Sequence, residues 1–182
     1  MKHSLNSAKL SFRGRGAVTA VAVCGMLLAL KVVLGMFTLN VSPILKVGFS
    51  FLPIAAAGVL FGPAAGGAVG ALGDVVSYAI APTGPYFPGF TLNAFLSGFL
   101  YGIFLHRRRA TLWRTAAAKV SVTVLVNLLL NPLWLSVLYS RAFLAVLSAR
   151  VATNLALLPI DVALLYLLLK FMEKEPLFRL GK

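Results

Sequence analysis

Three cations, Lys31, Lys46 and Arg150, stand near the ends of apolar runs in which charge is otherwise scarce. An ionisable side chain set among lipid-facing residues is costly, so it is expected to face a cavity or a partner instead of acyl chains. Asp74 precedes Ser77 and Tyr78 at a spacing that puts all three on one side of a helix. Asn127 and Asn131 are a helical turn apart beside Pro132, which can bend the chain there; Arg150, Asn154, Leu157 and Asp161 form a further stripe at helical spacing. Between two apolar runs lies APTGPYFPGFTLNAFLSG, Ala81 to Gly98, which has no charge. Pro82, Pro85 and Pro88 restrict its backbone, Gly84 and Gly89 permit tight turns, Tyr86, Phe87 and Phe90 supply flat faces, and Asn93 follows. Phe49 and Phe51 make a second aromatic pair just after Lys46. Aromatic faces stack on ring systems, and lone cations hold carboxylates by charge-assisted hydrogen bonds. The residues by themselves point to a flat, anionic small molecule held beneath a stiff aromatic flap.

Other polar residues leave alternatives open. Asp74 is either an internal partner for a basic side chain or a ligand contact. Asp161, deeper in its run, reads as structural or gating, and Asn127 and Asn131 read as hydrogen-bonding glue between helices. The flap aromatics would also suit an interfacial belt, although their crowding into one constrained loop favours a lid.

The elements that must position these residues are membrane spans. The chain has 182 residues, is 60% hydrophobic with mean hydropathy +0.94, and carries 17 basic against four acidic residues. A soluble domain of this length could not bury so much apolar surface. Several runs reach about 18 residues, the length needed to cross a roughly 30 Å hydrocarbon core. The runs are continuous and not alternating, which excludes a barrel. The fold class expected is an all-α membrane protein, a compact bundle of six transmembrane helices with an outward-facing pocket. The spans fall at about Ala17–Thr38, Gly48–Phe61, Pro63–Ile80, Gly89–Leu105, Leu112–Val137 and Ala149–Phe171. Residues 1–16 are expected as a cytoplasmic N-terminal segment, 17–171 as the substrate-binding domain and 172–182 as a cytoplasmic tail.

An even number of spans puts both termini on one side. That side collects Lys2, Lys9, Arg13 and Arg15, then Arg107, Arg108, Arg109, Arg114 and Lys119, then Lys170, Lys174, Arg179 and Lys182. The other side keeps Lys31, Lys46, Arg141 and Arg150, so the positive-inside rule makes the termini cytoplasmic and the proline-rich loop external. Trp113 and Trp134, about 31 Å apart along a helix, would both suit membrane interfaces. The net charge of +13 therefore reports topology and not nucleic acid. A single cysteine, Cys24, excludes an internal disulfide framework, and the first apolar run is expected to be retained and not cleaved. Glycines at 58, 62, 66 and 70, and at 98 and 102, allow helices to approach closely. Ala20, Cys24, Gly25 and Ala29 make a small-residue stripe on the first helix that could meet another membrane protein. An enzyme using Asp74 and Asp161 lacks a His or Ser partner, since His3 and His106 fall in basic cytoplasmic segments. No catalytic residue, metal site or cofactor is expected. No GxxxxGK[ST] phosphate loop occurs, so ATP would have to be hydrolysed by another chain.

The stretch LKVGFSFLPIAAAGVLFGPAAGGAVGALGDVVSYAIAPTGPYFPGFTLNAFLSGFLYG, Leu45 to Gly102, resembles the substrate-binding S components of energy-coupling factor transporters, the folate family above all in PTGPYFPGFTL. RVATNLALLPID at Arg150–Asp161 is similar to that family's last helix. The resemblance implies a vitamin-capturing subunit of an ABC-type importer in the bacterial cytoplasmic membrane. It implies partners too: a transmembrane scaffold subunit that meets the small stripe of the first helix, two ATPase subunits, and delivery by toppling in the bilayer. On this reading the pterin stacks near Tyr86, Phe87 and Phe90, and Asp74, Asn93 and Asn154 bond its edge. Lys31, Lys46 and Arg150 hold the glutamate, with Phe49 and Tyr78 completing the site. Riboflavin would use the rings without needing the cations, and a stand-alone carrier would need no ATPase.

Overall fold

The computed structural model describes residues 2–37, 39–40, 46–82, 85–139 and 143–174; for 2–17, 39–40, 46–47, 139, 143–146 and 149 it describes the backbone alone. Helix α1 (Lys2–Met36) is followed by a two-residue antiparallel ladder, Leu39–Asn40 against Lys46–Val47, with Leu39 opposite Val47. Then come α2 (Phe51–Phe61), α3 (Pro63–Ile80), α4 (Pro88–Leu105), α5 (Leu112–Val122), a π-helical segment (Thr123–Leu130), α6 (Asn131–Tyr139) and α7 (Phe143–Lys174). Because α5, the π segment and α6 run on without a break, the described residues form six helical stretches, the number the apolar runs predict. Four of them, Val18–Met36, Pro88–Leu105, Leu112–Leu138 and Arg150–Lys174, are long and apolar enough to cross a membrane. Helix α1 begins at Lys2, so the backbone of residues 2–16 is helical and continuous with the first apolar run. Residues 175–182, and with them most of the expected tail, lie outside the described residues.

The fifth span departs from a straight helix for a local reason. Pro132 has no N–H and its ring collides with the carbonyl four residues back, which a one-residue widening of the turn relieves. The Asn131 N–H accordingly bonds to Val126 O, five residues earlier.

Close packing of α3 on α4 organises the rest. A Cβ on Gly66 would lie 2.5 Å from Gly98 O, and one on Gly58 2.9 Å from the Gly102 nitrogen; Cβ atoms on Gly70 and Gly98 would collide with the backbones at Ala94 and Gly66. Here the helices touch backbone to backbone, as small residues at four-residue spacing permit. Gly62 joins α2 to α3 at φ 95°, a left-handed conformation that side chains resist, and Pro63 follows at the first position of α3. Pro63 also leaves Val59 O without its helical donor. His106 Nδ1, at the end of α4, lies 2.9 Å from that oxygen. A carbonyl can only accept, so Nδ1 carries the proton and the ring closes the gap that the proline opens.

Val59, Tyr101, Leu105, Val122 and Leu165 pack as part of the core. Lys119 departs from the expected placing among loop cations. It is buried, bonded to Asp161 of α7 at 2.8 Å, with its ammonium 3.8 Å from the centre of the Phe51 ring. At the charged end, Arg107, Arg108, Arg109, Arg114, Lys170 and Lys174 are exposed, and Ala110 N donates to Glu173 Oε1 at 2.6 Å, tying this loop to α7. Trp113 is 81% exposed beside these cations, as suits an interface. Trp134 instead turns into the bundle, where its indole N–H donates to Asn93 Oδ1 at 3.1 Å, so it is not a belt residue.

Two outcomes are expected in thermal melting of the detergent-solubilised protein. His106→Ala leaves Val59 O unpaired and costs about 1–3 kcal/mol. Lys119→Met or Asp161→Leu alone costs about 3–5 kcal/mol by stranding a buried charge, whereas the double variant recovers most of that loss.

Candidate functional site

Helix α2, with 11 residues, spans only about 16 Å. That is shorter than a roughly 30 Å hydrocarbon core, and a cavity lies at its N-terminal end. This cavity has a volume of about 560 Å³, and Ser50, the residue before α2, lines it together with α1, α3, the proline-rich loop, Asn131 and Leu135 of α6, and Arg150 of α7. It opens at the end of the bundle opposite the exposed arginines, hence outward, and its size is that of a small-molecule site, about 300–1,000 Å³.

Of the residues that the sequence singles out, Lys31, Asp74, Tyr78, Tyr86, Phe87, Phe90 and Arg150 all line this cavity. Lys31 is 7% exposed; its ammonium donates to Ser77 Oγ at 3.2 Å, and Ser77 donates to Gly73 O at 2.6 Å. Asp74 does not close an ion pair with it. The carboxylate accepts instead from Thr91 Oγ1 at 2.9 Å, and Thr91 shares a hydrogen bond of 3.0 Å with the Tyr86 hydroxyl. That relay pins the loop to α3 and α4, and the Tyr86 ring also leans on Tyr78 at 5.1 Å. One residue on, Phe87 packs on Phe90 at 5.9 Å and on Trp134 at 5.5 Å. The described part of the flap is therefore docked on three helices: Phe87 packs into the bundle, while Tyr86 stays 45% exposed although it is held by its contacts with Thr91 and Tyr78.

Other named residues sit elsewhere. Asn154 is engaged within the helices, accepting from Asn127 Nδ2 at 3.1 Å and donating to Arg150 O at 2.8 Å, and does not line the cavity. Asn93 is buried next to Trp134 and off the cavity wall, with its Nδ2 unpaired; the Asn131 Oδ1 on the wall is likewise buried and unpaired. Phe49 is half-buried and off the wall, while Phe51 lies under the cavity against Lys119. The Lys46 side chain lies outside the described residues. On α1, Gly25 and Ala29 are exposed and Ala20 and Cys24 half-buried; a Cβ on Gly25 would meet nothing within 4 Å. Ser77 lies on the helix face shared with Asp74 and Tyr78, as its spacing predicts, whereas Trp134 and Thr91 position the site and were not among the predicted contacts. Their signal in the sequence is weak, since a hydroxyl or indole in an apolar run has many possible partners. Among the described residues no three His, Cys, Asp or Glu side chains gather to hold a metal.

A wall of aromatic rings with two cations, Lys31 and Arg150, that form no ion pair within 4.0 Å among the described residues, at the outer end of the helical bundle, defines a membrane protein that captures a small molecule. Residues 19–169 match the family model of the ECF transporter substrate-specific component, and the chain belongs to that family. It is a transporter subunit and not an enzyme, and a multi-pass protein of the bacterial cytoplasmic membrane. The chain is 36% identical to the folate transporter FolT of Clostridium novyi over 149 residues, covering 82% of this chain and 87% of that one. It is 33% identical to the folate transporter FolT of Leuconostoc mesenteroides over 150 residues, covering 79% and 80%. Its fold matches a crystal structure of FolT bound with folic acid at a TM-score of 0.78 and 38% identity, covering 87% of this chain and 95% of that one.

Thr91→Val cuts the relay between Asp74 and Tyr86 without changing side-chain volume much. Its expected effect is faster proteolytic cleavage of the 81–88 loop with little change in melting temperature; unchanged cleavage would show that the relay does not hold the flap.

Proposed function

We propose that this chain captures folate from outside and surrenders it to an importer powered by separate subunits. The observation that supports this most is the pairing, in one cavity, of flat aromatic walls with two cations, Lys31 and Arg150, that have no carboxylate within 4.0 Å among the described residues. Folate carries both complements, a pterin ring and a glutamate tail with two carboxylates. The pterin stacks among Tyr86, Phe87 and Phe90, with Asp74 and Tyr78 offering hydrogen bonds to its edge and Asn93 behind the wall holding Trp134 against Phe87. Lys31 and Arg150, joined by Lys46 from the external ladder, take the carboxylates. Phe49 and Asn154 act from behind the wall, by packing and by fixing Arg150's helix. Riboflavin, which has no carboxylate, would leave these cations buried without a partner, and that costs affinity.

The exposed Gly25 and Ala29, flanked by Ala20 and Cys24, give α1 a smooth strip on which a transmembrane scaffold subunit can lie. Two ATPase subunits bound to that scaffold supply the energy, because this chain has no phosphate loop of its own.

Binding of radiolabelled folate to the purified protein tests this reading. Saturable binding at submicromolar folate is expected, and Lys31→Met weakens it by about 10–100-fold, the worth of a charge-assisted hydrogen bond. Saturation by riboflavin in place of folate would overturn the assignment. Proteoliposomes containing this chain alone should accumulate no folate.

A further inference from the structure

Lys31 starts on α1, yet its ammonium ends against α3, and the path between them runs over one glycine. A Cβ at Gly73 would lie 2.6 Å from Lys31 Cδ, 3.3 Å from Cε and 3.4 Å from Nζ. Contact therefore extends along three successive atoms of the stem. The lysine fills the trough left by a missing side chain, and a methyl group there would strike the middle of the stem and not a free tip. Gly66 and Gly70 on the same helix are accounted for by backbone contact with α4, and Gly67 by the Phe95 ring. At Gly73 the vacancy is taken by a charged group. The same residue also anchors the head of the lysine, because Gly73 O accepts from Ser77 Oγ, which in turn accepts from the ammonium. No carboxylate among the described residues lies within 4.0 Å of Nζ, and an ammonium has three donors, so donors remain for a ligand.

We propose that Gly73 is the positioning residue that sets how far Lys31 reaches into the cavity, and through it the preference for a ring bearing an anionic tail over the bare ring. The second half of this statement rests on the folate reading; the first half does not. With a side chain at 73 the stem has to lift off α3, Nζ leaves Ser77, and the charge moves away from where a carboxylate would be met. Buried stems have few alternative rotamers that keep the head at the same point, because the surrounding helices are close-packed.

The test has a ligand-free arm and a ligand arm. In the first, melting temperatures are compared for the wild type, Gly73→Ala, Lys31→Ala and the double variant. Gly73→Ala is expected to destabilise strongly when Lys31 is present and only weakly in the Lys31→Ala background, where the trough is empty. Additive shifts overturn the proposal. If Gly73→Ala does not fold, folding of the double variant supports the same contact, and its failure overturns it. In the second arm, Gly73→Ala is expected to bind folate at least roughly tenfold more weakly, a shift of one hydrogen bond's size, while its affinity for unsubstituted pterin stays within a few-fold of wild type. Equal losses for both ligands, or none for either, overturn the specificity role. A wild type that binds pterin and folate equally, or neither, refutes the folate reading, while the melting cycle still decides whether Gly73 seats Lys31.

Discussion

Backbone contact between α3 and α4 is the constraint on which the cavity depends. Gly66 meets Gly98, and Gly70 meets the Ala94 carbonyl, because none of the glycines has a side chain to hold the helices apart. With that spacing set, Asp74 on α3 comes within hydrogen-bond reach of Thr91 on α4, and the loop joining the two helices is short enough to be pinned by Tyr86. Widening the contact by one methyl group would move α3 relative to α4 and break the relay, and the flap would lose its anchor. Glycine is thus doing two jobs on α3: at positions 66 and 70 it admits another backbone, and at 73 it admits a lysine stem.

Charge is handled in opposite ways at two depths. Near the middle of the bundle, Lys119 and Asp161 neutralise each other at 2.8 Å, with the Phe51 ring against the ammonium, so a charged residue there is compatible with a dry interior. Nearer the outer end, Lys31 and Arg150 face an open volume with no carboxylate within 4.0 Å among the described residues, and Asp74 accepts from Thr91 instead of pairing with Lys31. Cations left without a close counter-charge at a desolvated wall are a cost to the empty protein. A ligand carrying carboxylates removes that cost, which is a physical reason for tight binding and for discrimination against neutral ligands of similar shape.

Spans, their order and the direction of the charged end were legible because they rest on long-range composition. Apolar runs and clustered arginines survive any local detail. The cations and rings near the cavity were also legible, as types that an apolar run does not tolerate idly. What could not be read was pairing. Lys119 looks like any loop cation until α7 brings Asp161 to it. Asn154 looks like a ligand contact until Asn127 is seen across from it, and Trp134 looks interfacial until Asn93 and Phe87 are beside it. Each depends on the rotation of one helix against another, and the rotation of the fifth span is altered by the π turn before Pro132. The role of Gly73 was hidden for a similar reason, since a glycine in a glycine-rich helix gives no hint of which neighbour fills its space.

Trp134 offers the most direct measurement of the central claim, that an outward cavity roofed by the flap takes a flat anionic ring. It lies against Phe87 of the flap, whereas Trp113, at the opposite end of the same span, is 81% exposed. In a Trp113→Phe variant, a folate titration followed by tryptophan fluorescence should give a saturable quench at submicromolar ligand. Absence of a saturable change, or the same saturable quench in a Trp134→Phe variant that retains Trp113, would contradict the account.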